Sequence, residues 1–324
     1  MPRLLTLIPL LLLTLASAHA QTVLKIGWTT SDGEQDPYAI AARQFAEALE
    51  GEAPGEFEVQ FFPNRQLGDE KEMLEGLSFG TLDMAVITNA VIANIEPAFQ
   101  LNDLPFLYGS EQQAHQVLDG PVGQALLDKL EARGIQGLGF AEGGYRHMIN
   151  NVRPVANPGD VEGVKYRVMQ NPVYIEMFQS LGGNAVPMAW GEVYTAVQQG
   201  TVDGLEIPVP VIANNKYDEV TRYLSLTRHT YSALGILMSK RTWDGLGAEQ
   251  QAAVEEAART AIQRQREMNA ENIAALVADL ESRGMEVNEV AAPADFREQV
   301  TPVYEQFREE IGAELMDQAL EAVK

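Results

Sequence analysis

Cysteine is absent from the 324 residues. Disulfides, iron–sulfur clusters, thiol nucleophiles and cysteine-held zinc are therefore excluded. Histidine is scarce, and His115, His147 and His229 show no metal-ligand spacing, so no metal is expected. Basic residues are also few: 23 Lys and Arg stand against 46 Asp and Glu, a formal charge of −23. A nucleic-acid binder needs a basic face to displace counterions from phosphates, and a membrane-surface protein needs a polybasic patch; neither is available here. The chain has no Gly-x-x-x-x-Gly-Lys-Ser/Thr loop, and its Gly-x-Ser-x-Gly match, Gly76-Leu77-Ser78-Phe79-Gly80, falls at the end of a helical stretch and not on a strand-to-helix elbow. Gly137, Gly139 and Gly143 come near a dinucleotide fingerprint, but the third glycine falls one residue late. Carboxylate pairs are everywhere in so acidic a chain, and most read as solvated surface charges. No nucleophile or acid–base pair stands out, so neither an enzyme nor a cofactor is expected.

What is present is ordered. Met1-Pro2-Arg3 is a short basic start, Leu4 to Ala16 an apolar run, and Ala18-His19-Ala20 a small-x-small cleavage site. These are the three parts of a secretory signal peptide over residues 1–20. The run is short for the roughly 20 apolar residues of a membrane span. Cleavage removes Arg3 and leaves the rest near −24. The expectation is an exported protein of a Gram-negative periplasm.

A length of 324 residues suggests about two domains. Val23 to Trp28 reads as a strand, Pro37 opens a helix, Phe57 to Phe62 is a strand, Glu70 to Gly80 a helix, and Leu82 to Ile87 a strand. This alternation favours an α/β unit with a largely parallel sheet. A second unit follows: strand Val164 to Met169, helix Val173 to Leu181, strand Ala185 to Met188, helix Gly191 to Gln199, strand Val202 to Ile207. Alternation places Lys165, Arg167 and Met169 on one side of the first of these strands. Gly247 to Gly284 keeps a helical period through Val254, Ala258, Ala261, Leu276 and Leu280. At 1.5 Å per residue it is about 50 Å long, enough to run along both domains. A cleft between two such domains is a natural ligand site.

Several segments carry a more specific signal. Gly143-Gly144-Tyr145-Arg146-His147 begins one; Asp160-Val161-Glu162-Gly163-Val164-Lys165-Tyr166-Arg167 is a second; a third runs from Leu181-Gly182-Gly183 through Gly200-Thr201-Val202-Asp203-Gly204-Leu205-Glu206-Ile207-Pro208. Gln66-Leu67-Gly68-Asp69-Glu70, Gly80-Thr81-Leu82-Asp83 and Leu104-Pro105-Phe106-Leu107 precede them. The ordered set, over residues 22 to 320, resembles the periplasmic solute-binding proteins of tripartite ATP-independent (TRAP) transporters, of the C4-dicarboxylate-binding type. The resemblance implies a two-domain clamp of mixed, mostly parallel sheets, with crossing hinge strands and a long helix spanning both domains. The implied division is 21–143 plus 232–270 for one domain and 144–231 plus 271–324 for the other. The implied work is capture of a small organic acid and its delivery to integral-membrane, sodium-coupled permease subunits, by a protein read as a monomer.

In the family the Arg of the Lys-x-Arg strand holds the ligand carboxylate, which maps to Arg167. A guanidinium offers two parallel donors and stays charged; the bland alternative is a structural ion pair. Arg146 matches a second ligand-facing arginine, or else a hinge pair. Asn171 either reaches the ligand or caps the following helix, and Gln170 is similarly open. Trp190 is a pocket wall or an interface plug. Glu206 is expected to orient Arg167 or to accept ligand hydroxyls. Thr88 and Asn89 sit at the carboxyl end of a strand, where α/β sheets bind ligands. Glu70 and Asp36 are further candidates, Tyr231 faces either cleft or core, and Arg153 reads as surface. Many members have Asn where this chain has Ile207, which implies a ligand less polar at that point. Two arginines near one cleft suit a dicarboxylate, a sugar acid or a hydroxy- or keto-acid. Two other functions share these features: a sensor component feeding a membrane receptor, and a secreted hydrolase.

Overall fold

The computed structural model describes residues 21–324; the signal-peptide expectation lies outside the described residues. Nine strands form one mixed sheet: β1 Thr22–Gly27, β2 Phe57–Phe62, β3 Met84–Thr88, β4 Ile135–Asn150, β5 Lys165–Val168, β6 Asn184–Pro187, β7 Gly204–Pro208, β8 Tyr223–Ser239 and β9 Glu286–Glu289. Helices α1 Pro37–Glu52, α2 Glu70–Phe79, α3 Asn89–Ile92, α4 Glu111–Leu118 and α5 Pro121–Lys129 belong to the first half of the chain. α6 Pro172–Ser180, α7 Trp190–Gln198, α8 Val209–Asn214 and α9 Lys240–Gly245 follow. The last are α10 Ala248–Ser282, α11 Pro293–Val300, α12 Pro302–Ile311 and α13 Ala313–Ala322.

Local chemistry explains the boundaries near the cleft. Asp36 caps α1 by accepting from the Tyr38 and Ala39 N–H groups, and Pro37 occupies the first helical position. α2 ends at Gly80 in the left-handed region, at φ 71°. Asn171 caps α6 through its side-chain oxygen and the Val173 N–H.

The sheet order is β2-β1-β3-β8-β4-β7-β5-β6, with β9 beside β8. Parallel strands lie at each end: β1 pairs with β2 and β3, and β5 with β6 and β7. The antiparallel pair β4 and β8 joins them. The last part of β8 lies against β3, while Arg146 to Asn150 of β4 lie against β7. Each long strand thus serves both halves, and the architecture is a two-domain α/β clamp. Register shifts at Gly137/Gly139, Glu142/Gly144 and Arg146/Met148 bend the pair where it passes from one domain to the other. The near-fingerprint glycines lie on this bent strand and form no phosphate-binding loop.

Helix α10 spans 35 residues and bridges the two domains. Its ends bury Val254, Ala257, Ala258 and Ala261, then Leu276 and Leu280; its middle buries Gln265, Arg266 and Asn269. That polar middle meets the bend. Gln265 bonds both the N–H and the C=O of Glu142, at 2.9 and 2.6 Å, and Asn269 donates to its carboxylate at 2.7 Å. Helices α11 to α13 pack in an apolar cluster with α4, α5 and α6, so the tail touches both domains.

Candidate functional site

The cleft between the domains holds a narrow cavity, about 340 Å³ of atom-free space when its opening to solvent is included. Thr29 and Thr30 enter it from the end of β1, Tyr38 from α1, Glu70 from the first turn of α2, and Thr88 from the end of β3. Arg146 enters from β4, Arg167 and Met169 from β5 and the residue after it, Trp190 from α7, Ile207 and Pro208 from β7, and Val211 from α8. All but Arg146 reach it from the carboxyl ends of parallel strands or the segments that follow, where open α/β sheets bind ligands.

The two walls differ in chemistry. On one, Glu70 Oε1 accepts from the Thr88 N–H and Oγ1, each at 2.7 Å, and Tyr38 Oη lies 2.5 Å from the same hydroxyl. Burial pushes the Glu70 carboxyl up to about 7 against the opposing pull of the Thr88 bonds. On the other, Ile207, Pro208, Val211, Met169 and Trp190 form an apolar surface around the arginines. Trp190 is half-buried and leans on Tyr217, ring centroids 5.5 Å apart.

Both arginines are buried, at 3% exposure for Arg146 and 2% for Arg167. Arg146 is paired with Glu206: Nε donates to Oε2, and Nη2 donates to Oε1 at 2.9 Å and to the Glu206 carbonyl at 2.8 Å. Burial alone would lower the Arg146 pKa, but the charge and hydrogen bonds of Glu206 together with Tyr174 and Tyr38 outweigh it and raise it. Burial would raise Glu206, and Arg146 holds it below the usual carboxylate range. Arg167 has no such partner. Nε and Nη2 donate to the Met188 carbonyl at 2.9 and 2.6 Å, and Nη1 lies 3.4 Å from the Met169 sulfur. Among the described residues it makes no ion pair, and burial lowers its pKa. A guanidinium remains charged at neutral pH even so. The site therefore contains one buried guanidinium with no carboxylate bonded to it, although Glu206 and Glu70 act on it from a distance; such a charge is costly to bury until an anion binds it.

The domains meet around the cavity. The Gly191 N–H donates to Asp69 Oδ2 at 3.0 Å, the Ser31 N–H to Asn215 Oδ1 at 2.9 Å, and Asn94 Nδ2 to the Gln170 carbonyl at 3.0 Å. Asn171 Nδ2 reaches Asp103 Oδ2 at 2.9 Å and the Ala90 carbonyl at 3.1 Å. The clamp is closed.

Of the residues singled out in the sequence, Arg167, Arg146, Thr88, Glu70, Trp190 and Ile207 line the cavity. Glu206 orients Arg146 and not Arg167: β7 lies between β4 and β5, and the Glu206 carboxylate bonds the β4 arginine. Asn171 is a helix cap and interdomain tie, not part of the lining. Asn89 spends its amide on the Phe99 carbonyl and Asn102. Gln170 is exposed and borders an outer recess with Asp69, Glu72, Glu70, Arg167 and Trp190. Asp36 caps α1, with its carboxyl pushed up to about 6 by burial. Tyr231 lies in an aromatic cluster and donates to Glu142 at 2.8 Å. Lys165 and Arg153 are exposed. Thr29, Thr30 and Tyr38 were not among the expected residues. The first two follow β1 as Thr88 ends β3, so the strand-end rule could have found them.

A two-lobed clamp with a buried guanidinium unpaired in its cleft has the build of a receptor for a small anion. The family model for bacterial extracellular solute-binding protein, family 7, matches residues 29–310, and the chain belongs to this family of TRAP periplasmic solute-binding proteins. It is a transport component and not an enzyme. It is 40% identical over 303 residues to a solute-binding protein of Verminephrobacter eiseniae, covering 94% of this chain and 90% of that one. A TRAP periplasmic solute-binding protein of Polaromonas, solved bound to D-erythronate, superposes with TM-score 0.89 at 37% identity, covering 93% and 98% of the two chains. A sugar-acid-binding protein of Advenella mimigardefordensis, solved with galactonate, gives 0.90 at 33%, covering 94% and 98%.

Proposed function

We propose that the protein captures a hydroxylated organic acid in the periplasm, pairs its carboxylate with Arg167, and delivers it to a sodium-coupled TRAP permease. The observation that carries this reading is the buried, unpaired Arg167 guanidinium in the interdomain cavity. Hydroxyls of Thr29, Thr30, Tyr38 and Thr88 on the facing wall suit a polyhydroxy acid, in keeping with the erythronate and galactonate of the two solved relatives. Ligand entry neutralises Arg167 and draws the walls together, so closure comes from contacts made better in the closed form. Export through residues 1–20, a Gram-negative source, a monomeric state and the division of the chain near 144 and 232 belong to the same proposal.

The test is a thermal-shift panel on protein first unfolded and refolded to release any bound acid. The panel holds D-erythronate, D-galactonate, D-glucuronate, succinate and malate. A ligand at a thousand times its Kd adds about 4 kcal/mol. The sugar acids are expected to raise the melting temperature by several degrees. A flat panel with folded, empty protein contradicts the reading.

A further inference from the structure

We infer that Glu70 makes the site reject a second carboxylate, so that the protein takes monocarboxylate sugar acids and excludes the corresponding diacids. The inference rests on the proposed pairing of a ligand carboxylate with Arg167. It starts from the charges that meet the cavity. Arg146 is already neutralised by Glu206, which commits both carboxylate oxygens to it. Arg167 is then the one guanidinium left for a ligand. Glu70 lines the same cavity and the outer recess, and is 6% exposed. Its Oε1 is taken by Thr88, and Oε2 has no hydrogen-bond partner among the described residues.

A ligand held at Arg167 therefore meets an acceptor at Glu70. A hydroxyl can donate to it. A carboxylate cannot, and it is admitted only where Glu70 first takes up a proton, which becomes harder as pH rises above its value of about 7. The outer recess adds Asp69 and Glu72, against Lys71. Specificity built from such repulsion is as effective as a new attraction. Of the dicarboxylate, sugar acid and hydroxy- or keto-acid that two arginines suit, this inference disfavours the dicarboxylate, because one arginine arrives with its own anion.

D-galactonate and galactarate form a matched pair: galactarate carries a carboxylate where galactonate has its terminal CH2OH. D-erythronate and meso-tartrate are the four-carbon counterpart. Titration calorimetry at pH 8 on the wild type is expected to favour the monoacid of a pair by about tenfold, the cost of placing a proton on Glu70 one pH unit above its value. Glu70→Gln keeps an oxygen for Thr88 and turns a donor toward the ligand. It is expected to bring that ratio close to unity. The wild-type ratio is also expected to narrow at pH 6, where Glu70 is largely protonated. Asp69 capping α2, Tyr38 on α1, Arg146 on β4 and Arg167 on β5 are the other ionisable groups around it. The ligand carboxylates, with ordinary pKa values near 4, stay ionised throughout. This pH arm stands even if the variant fails to fold. Equal wild-type affinity for both members of a pair overturns the inference, as does a ratio that neither the substitution nor pH alters. Absence of binding by all four acids overturns the Arg167 reading as well; Arg167-dependent binding without discrimination overturns this one alone.

Discussion

Arg146 and Arg167 stand on β4 and β5, separated by one strand, and line one cavity at almost equal burial. Yet Arg146 is held by a carboxylate on both sides of its guanidinium fork, and Arg167 by a carbonyl oxygen and a sulfur. The first is part of the fold, with its charge compensated before any ligand enters. The second is, in the proposed function, an ion pair that the ligand completes. Burial tells a buried arginine from an exposed one; only the partner tells a structural arginine from a receptor.

The largest expected effect breaks this comparison on the side of Arg146. Arg146→Met leaves Glu206 buried without its cation, which costs about 3–5 kcal/mol. Urea unfolding is expected to show that loss, and Arg146→Met with Glu206→Leu to recover much of it. Arg167→Met is expected to leave the empty protein as stable as the wild type or more so, since it removes an uncompensated charge. Equal losses in the two single variants would erase the distinction.

The acids can be compared in the same way. Glu206 has a cation, whereas Asp103 is buried and bonded to Asn171, with its carboxyl pushed up by burial to about 8. The native state thus holds a proton that the unfolded chain releases near its ordinary value. Asp103 favours folding at low pH and withdraws that contribution as pH rises from about 4 to about 8. Asp103→Asn keeps a neutral group of the same shape. Melting temperatures across that range are expected to fall less steeply with pH in the variant, which gains on the wild type at pH 8. Parallel curves would contradict the assignment.

The smallest effect concerns the apolar wall. Ile207→Asn places an amide beside Arg167. It is expected to shift the ratio of galactonate to pantoate affinity about three- to tenfold toward the more hydroxylated acid. Calorimetric titration with both acids checks it, and an unchanged ratio would remove Ile207 from the specificity wall.

Much of the frame was legible in the residues. Short strands such as Phe57–Phe62 and the α10 helix carried clear periods and ended on glycines, proline or caps. The long strands β4 and β8 did not show themselves. In β4, Gly137, Gly139, Gly143 and Gly144 and the charged Glu142, Arg146 and His147 interrupt the pattern, and three register shifts break the alternation. Helices α11 to α13 also went unread. Arg167 was legible because its strand keeps a short, recognisable motif. The pairing of Arg146 with Glu206 was not, because the two lie 60 residues apart and meet only through the register of β4 on β7. Asn89 illustrates the reverse: its place after a strand suggested ligand contact, while the structure spends its amide on the Phe99 carbonyl. Asn171 was open between ligand contact and a helix cap, and in the structure it caps α6 and bonds the Ala90 carbonyl.

The most direct test is titration calorimetry of D-galactonate into the wild type and Arg167→Gln, each shown to be folded and empty. Removing one member of a buried charge pair costs about 2–5 kcal/mol, so affinity is expected to fall at least about thirtyfold while the melting temperature of the empty protein holds or rises. Unchanged affinity in the variant would mean that the carboxylate is bound elsewhere in the cleft, and that the unpaired arginine is not the receptor.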